Sequence, residues 1–104
     1  MSDDAPQAGT GVPAGAISKE LLIINKRGLH ARASAKFVHT VEGFEAEVRV
    51  SNGGEQVDGA SILDLLMLGA APGTAITVEA TGPEAEQVVN ALRDLLANRF
   101  GEDE

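Results

Sequence analysis

The sequence predicts an α+β domain, an open-faced two-layer sandwich with three helices covering one face of a four-stranded antiparallel sheet. Three observations carry that expectation. Apolar and polar residues alternate over 44–51 and 74–80, the period of strands with one dry and one wet face. Asn52-Gly53-Gly54 is a strong hairpin turn, which returns the chain through Glu55 to Asp58 as an antiparallel partner. The segments after His30 and after Glu84 repeat their apolar residues at helical spacing instead.

Taken in order, the elements justify themselves locally. Residues 1–16 are rich in Gly, Ala, Pro and Asp, a composition that cannot repay the entropy of ordering, and they are read as a disordered N-terminal tail. The domain then spans 17–100, with 101–104 as an acidic C-terminal tail. Its first strand holds the apolar run Leu21-Leu22-Ile23-Ile24. Asn25 to Gly28 carry turn chemistry, after which Ala33, Phe37, Val38 and Val41 mark a helix that ends around Glu42-Gly43. Phe44, Ala46, Val48 and Val50 face inward in the next strand. Past the hairpin, Ser61 with Asp64 has the pattern of an N-cap, opening a short helix that Gly69 stops after Leu68. Six of the seven residues from Ile62 to Leu68 are apolar, and one stripe of so short a helix reaches a sheet. Leu65 and Leu68 are assigned to the core; Ile62, Leu63 and Leu66 form an exposed docking patch. Thr74 to Ala80 make the last strand. The final helix opens at Gly82-Pro83-Glu84 and carries Ala85, Val88, Val89, Leu92, Leu95 and Leu96 on one stripe. Its arginines, Arg93 and Arg99, trail toward the negative end of the dipole.

Composition narrows the function. A chain of 104 residues, 43% of them hydrophobic, supports one small domain with a single core. The net charge of −8 argues against nucleic acid as a partner, and three Phe with no Tyr or Trp offer no base-stacking platform. There is no cysteine, no membrane-length apolar run and no secretory signal, so a cytoplasmic monomer is the expectation.

Against that acidic background, residues 26–36 hold four of the eight Lys and Arg and no acid. His30 falls where the helix begins. There the first-turn amides lack intrahelical partners and the dipole is positive, an arrangement that binds phosphate. Arg32 adds a guanidinium fork suited to phosphate oxygens, and a neutral imidazole there is a nucleophile. This chemistry suggests a phosphoryl group carried on His30. Metal binding is not expected, because His39 falls on the opposite side of the helix from His30 and there is no other histidine. A hydrolytic dyad of His30 with Ser34 is set aside, since no acid lies nearby in sequence to orient the imidazole. Ser34 is expected to support the loop by a hydrogen bond.

The motif Gly28-Leu29-His30-Ala31-Arg32-Ala33-Ser34, following a strand and opening a helix, resembles the active-site loop of HPr, the histidine-containing phosphocarrier of the bacterial phosphotransferase system. The likeness runs from about Ser18 to Phe100. It implies the HPr-like open-faced sandwich, His30 as phosphoryl acceptor and donor, and Arg32 as its phosphate-stabilising partner. The backbone of Ala31 and Arg32 would cradle the phosphate, which would sit on the ring nitrogen nearer the main chain. The implied partners are enzyme I as donor and an enzyme IIA-type protein as acceptor. No cofactor is implied, and the chain is a carrier rather than a stand-alone enzyme. Ser61 matches the family's regulatory serine, the target in some bacteria of an HPr kinase/phosphorylase, although an N-cap role alone suffices to explain it. The family more often has Pro-Ala at Ala33-Ser34, a departure expected to alter partner affinity. Sugar transport and a nitrogen-related regulatory relay both remain open. Two alternatives stand beside the carrier: a regulatory protein that acts by binding and is switched at Ser61, and a ferredoxin-like sensor that leaves the basic loop unused.

Overall fold

The computed structural model describes residues 16–102, so the expected N-terminal tail, apart from Ala16, lies outside the described residues. Strands β1 (Ile17–Leu22), β2 (Glu47–Asn52), β3 (Glu55–Asp58) and β4 (Ala75–Thr81) alternate with helices α1 (Ala31–Glu42), α2 (Ile62–Leu68) and α3 (Ala85–Ala97). A 3-10 turn, Arg99–Gly101, closes the described chain. The sheet order is β1-β4-β2-β3 with every neighbouring pair antiparallel, so the expected sandwich is the observed one.

The register places the apolar positions on one face. Leu21 lies opposite Ile76, Val78 opposite Val50, and Ala80 opposite Val48. Their alternation with Ser18, Glu20, Glu47 and Arg49 leaves the other face to water. On the dry face α3 packs over β1 and β4, α2 lies beside β3, and α1 bridges the two helices. Phe37, Leu65, Leu92, Leu96 and Phe100 meet between the layers, all almost wholly buried. Each fully buried side chain of that size contributes on the order of 1.5–3 kcal/mol of transfer free energy.

Some boundaries differ from expectation. The strand begins at Glu47 rather than Phe44, because the Glu45 backbone is engaged elsewhere: its N–H donates to Glu84 Oε1 at 2.7 Å and its C=O accepts from Glu84 N–H at 3.0 Å. That exchange ties the approach to β2 onto the start of α3. In the first strand, Ile23 lies past the end of β1 yet is fully buried, and its N–H donates to Thr74 C=O at 2.8 Å. Arg99 stands outside α3 with a left-handed φ of 55° and is no part of the helix end.

Candidate functional site

The loop from β1 to α1 is shaped by one left-handed residue and two hydrogen bonds. Gly28 adopts a φ of +69°, a conformation open to glycine at little cost. Leu29 is buried and its N–H donates to Ala70 C=O at 3.0 Å, which fastens the loop to the exit of α2. Asn25, fully buried, donates through Nδ2 to Gly28 C=O at 2.8 Å. The loop is thus held from below, and His30 emerges from it as the N-cap of α1 with extended backbone, φ −81° and ψ −175°.

The first bond of the α1 ladder runs from Ser34 N–H to His30 C=O at 2.8 Å. The amides of Ala31 and Arg32 precede that ladder and keep the anion-binding character of a helix start. The His30 side chain makes no capping bond to them. Around the ring opens a cleft of about 440 Å³ lined by Lys26, Arg27, Arg32 and Lys36. Within it the Arg32 guanidinium has no ion-pair partner among the described residues.

One acid enters this basic cleft from the far end of the chain. Glu102 Oε2 lies 2.6 Å from His30 Nε2, and Oε1 accepts from Asn25 Nδ2 at 3.1 Å. Partial burial pushes the Glu102 carboxyl up, but the hydrogen bonds from Asn25 and His30, with the charges of His30 and Arg27, outweigh that and hold it below its ordinary value. Sequence reasoning left this residue in an acidic tail and took the imidazole to have no acid near it. The available signal was Phe100, an apolar anchor placed just before the acids.

The remaining sequence candidates separate clearly. Ser34 is buried and its Oγ donates to Leu29 C=O at 3.3 Å, a supporting bond and not a nucleophile's setting. His39 is exposed and lines a neighbouring groove with Arg32 and Lys36. Ser61 is the N-cap of α2, its Oγ accepting from Asp64 N–H at 3.1 Å. On α2, Leu65 and Leu68 are buried while Ile62, Leu63 and Leu66 are exposed. Met67, 74% exposed, belongs to the same patch and was not assigned to it from sequence. Among the described residues no helix is long and apolar enough to cross a membrane.

Fold and site together define a small α+β domain that presents one imidazole, at a helix start, in a basic cleft beside an apolar helix. The family model described as "PTS HPr component phosphorylation site" matches residues 17–98. The phosphocarrier protein HPr of Cupriavidus necator is 46% identical over 88 residues, covering 85% of this chain and 99% of the relative. Phosphocarrier protein NPr of Escherichia coli is 40% identical over 88 residues, covering 84% and 98%. A crystal structure of HPr from Thermoanaerobacter tengcongensis superposes with a TM-score of 0.81 at 34% identity, covering 85% of this chain and 99% of that one. The chain belongs to the HPr family of phosphocarrier proteins of the phosphotransferase system.

Proposed function

We propose that His30 is the residue that carries the phosphoryl group, taking it from phospho-enzyme I and giving it to a histidine of an enzyme IIA-type protein in the cytoplasm. The observation that carries this reading is the placement of His30 at the N-cap, directly before the first-turn amides of Ala31 and Arg32, with a basic cleft around its ring. Nε2 is engaged by Glu102, so Nδ1 is the ring atom with a lone pair free to attack. The amides and the Arg32 guanidinium then meet the three phosphate oxygens, whose charge they offset through charge-assisted hydrogen bonds. The partner completes the site, and docking through Ile62, Leu63 and Leu66 brings it into register. Those side chains are 42%, 65% and 39% exposed on a helix whose exit is bonded to the His30 loop.

Ser61 is the proposed regulatory position, a target for a kinase of the HPr kinase/phosphorylase type. Its hydroxyl already sits at a helix N-terminus, where a phosphate is electrostatically welcome, but the added charge of about −2 would stand next to the apolar patch and weaken docking.

The test is phosphoryl transfer from phosphoenolpyruvate through enzyme I to the full-length protein. Acid-labile, base-stable label that disappears in His30→Ala is the expected result. Equal labelling of His30→Ala would refute the assignment. A binding-only regulator would leave wild type unlabelled while still retaining its partners in a pull-down.

A further inference from the structure

The acid on His30 comes from outside residues 17–98, the span matched by the family model. Its delivery is built rather than incidental. Phe100 is buried, Lys36 Nζ donates to its carbonyl at 2.6 Å, and Arg99 and Phe100 both take a left-handed φ of 55°. Two consecutive non-glycine residues in that region are unfavourable by themselves and persist only where surrounding contacts hold them. Here they turn the chain so that Glu102 N–H closes on Arg99 C=O at 2.9 Å and the carboxylate points into the cleft. From below, Asn25 fixes the second carboxylate oxygen, and Asn25 is itself fully buried.

We propose that Glu102, held by Asn25, is a positioning residue for phosphoryl transfer: it keeps the proton on His30 Nε2 through loading and unloading, so the ring always leaves phosphorus as neutral imidazole. This rests on the reading of His30 as the phosphoryl carrier. In loading, the Nδ1 lone pair forms the P–N bond while the bond from phosphorus to the donor protein breaks and its electron pair stays with the donor. The ring, still protonated at Nε2, gains positive charge, which the carboxylate balances. In unloading, the acceptor's lone pair bonds to phosphorus and the P–Nδ1 pair returns to Nδ1. With the Nε2 proton in place the leaving group is neutral; without it the leaving group is an imidazolate, a far poorer one. The charged groups that face the ring are Lys26 and Arg27 from the loop, Arg32 and Lys36 from α1, and Glu102. Four of those five are cations that oppose a protonated ring, and Glu102 is the one acid among the described residues lining the cleft. Its lowered carboxyl keeps it ionised across the neutral range.

The experiment compares full-length wild type with Glu102→Gln, which keeps the shape and removes the charge. Both are loaded by enzyme I and phosphoenolpyruvate, and decay of the phosphohistidine is followed against pH by ³¹P NMR. In Glu102→Gln the pH at which the linkage turns stable should fall by about one unit, so that decay at mildly alkaline pH slows roughly tenfold. Superimposable profiles overturn the proposal. Independently, ¹⁵N signals of the unphosphorylated ring should show the Nε2–H tautomer in wild type and a mixture in Glu102→Ala; identical spectra likewise overturn it. If wild type takes no phosphate, the carrier reading fails, and the ring signals still decide whether Glu102 sets the tautomer.

Discussion

Replacing Gly28 by Ala puts a methyl group where the loop under His30 meets the exit of α2. A Cβ built there lies 2.7 Å from Ala70 O and 3.1 Å from Pro72 Cδ, while the backbone holds φ at +69°. The left-handed conformation costs an ordinary residue about 1–2 kcal/mol. The carbonyl it strikes is main chain and already accepts Leu29 N–H at 3.0 Å, so relief means displacing a backbone segment, worth about 1–3 kcal/mol by analogy with overpacked cores. Together these predict a loss of about 2–5 kcal/mol. At roughly 4–8 °C per kcal/mol for a domain of this size, the melting temperature should fall by about 10 °C or more. Urea titration read by circular dichroism measures the loss, and the phosphoryl-transfer assay on the remaining folded protein should show slower loading, because His30 is two residues from Gly28. A loss below about 1 kcal/mol would show that the contact with Ala70 gives way freely and does not hold the site.

Ser61→Ala should cost about 1 kcal/mol in urea unfolding through loss of the α2 cap, with labelling of His30 by enzyme I unchanged; abolished labelling would place Ser61 in the transfer chemistry itself. Leu63→Asp and Met67→Asp, at side chains 65% and 74% exposed, should leave stability within about 0.5 kcal/mol and raise the KM for enzyme I; unaltered kinetics would remove α2 from the docking face. Glu102 also predicts a pH dependence of stability. Because its folded-state pKa is depressed, its contribution is complete above the ordinary glutamate range and disappears as pH falls through the lowered value. Glu102→Gln should therefore unfold at lower urea than wild type at neutral pH and converge with it in acid, whereas a constant gap between the two midpoints would contradict the linkage.

The local part of the site was legible because local signals write it. Turn residues before Gly28, helical spacing after His30 and the Ser61-to-Asp64 cap each act over a few positions, and the structure follows them. So does the division of α2, where Leu65 and Leu68 turn inward. What escaped was decided by contacts between distant segments. Glu102 reaches His30 across 72 positions, and nothing short-range marks an acid near a chain end as a partner for an imidazole. Phe44 to Ala46 alternate as a strand should, yet the pairing of Glu45 with Glu84 across 39 positions claims that backbone before β2 begins. Met67 escaped for a different reason: in so short a helix a shift of one residue, about 100° of rotation, moves a side chain between faces.

The strand order β1-β4-β2-β3 has an implication for how the protein is made. A middle strand of the sheet is the last synthesised: β4 must slide between β1 and β2, which have no bonds to each other. A growing chain that has not yet reached residue 75 holds a lone strand, a hairpin and unpaired edges, with no ladder to join them. The loop under His30 is tied to the segment that leads into β4, through Ala70 and Thr74. Closure of the sheet then comes late in synthesis and is slowed by the long loops it must close. On the proposed reading, the acceptor site under His30 would be complete only in a molecule whose sheet has closed.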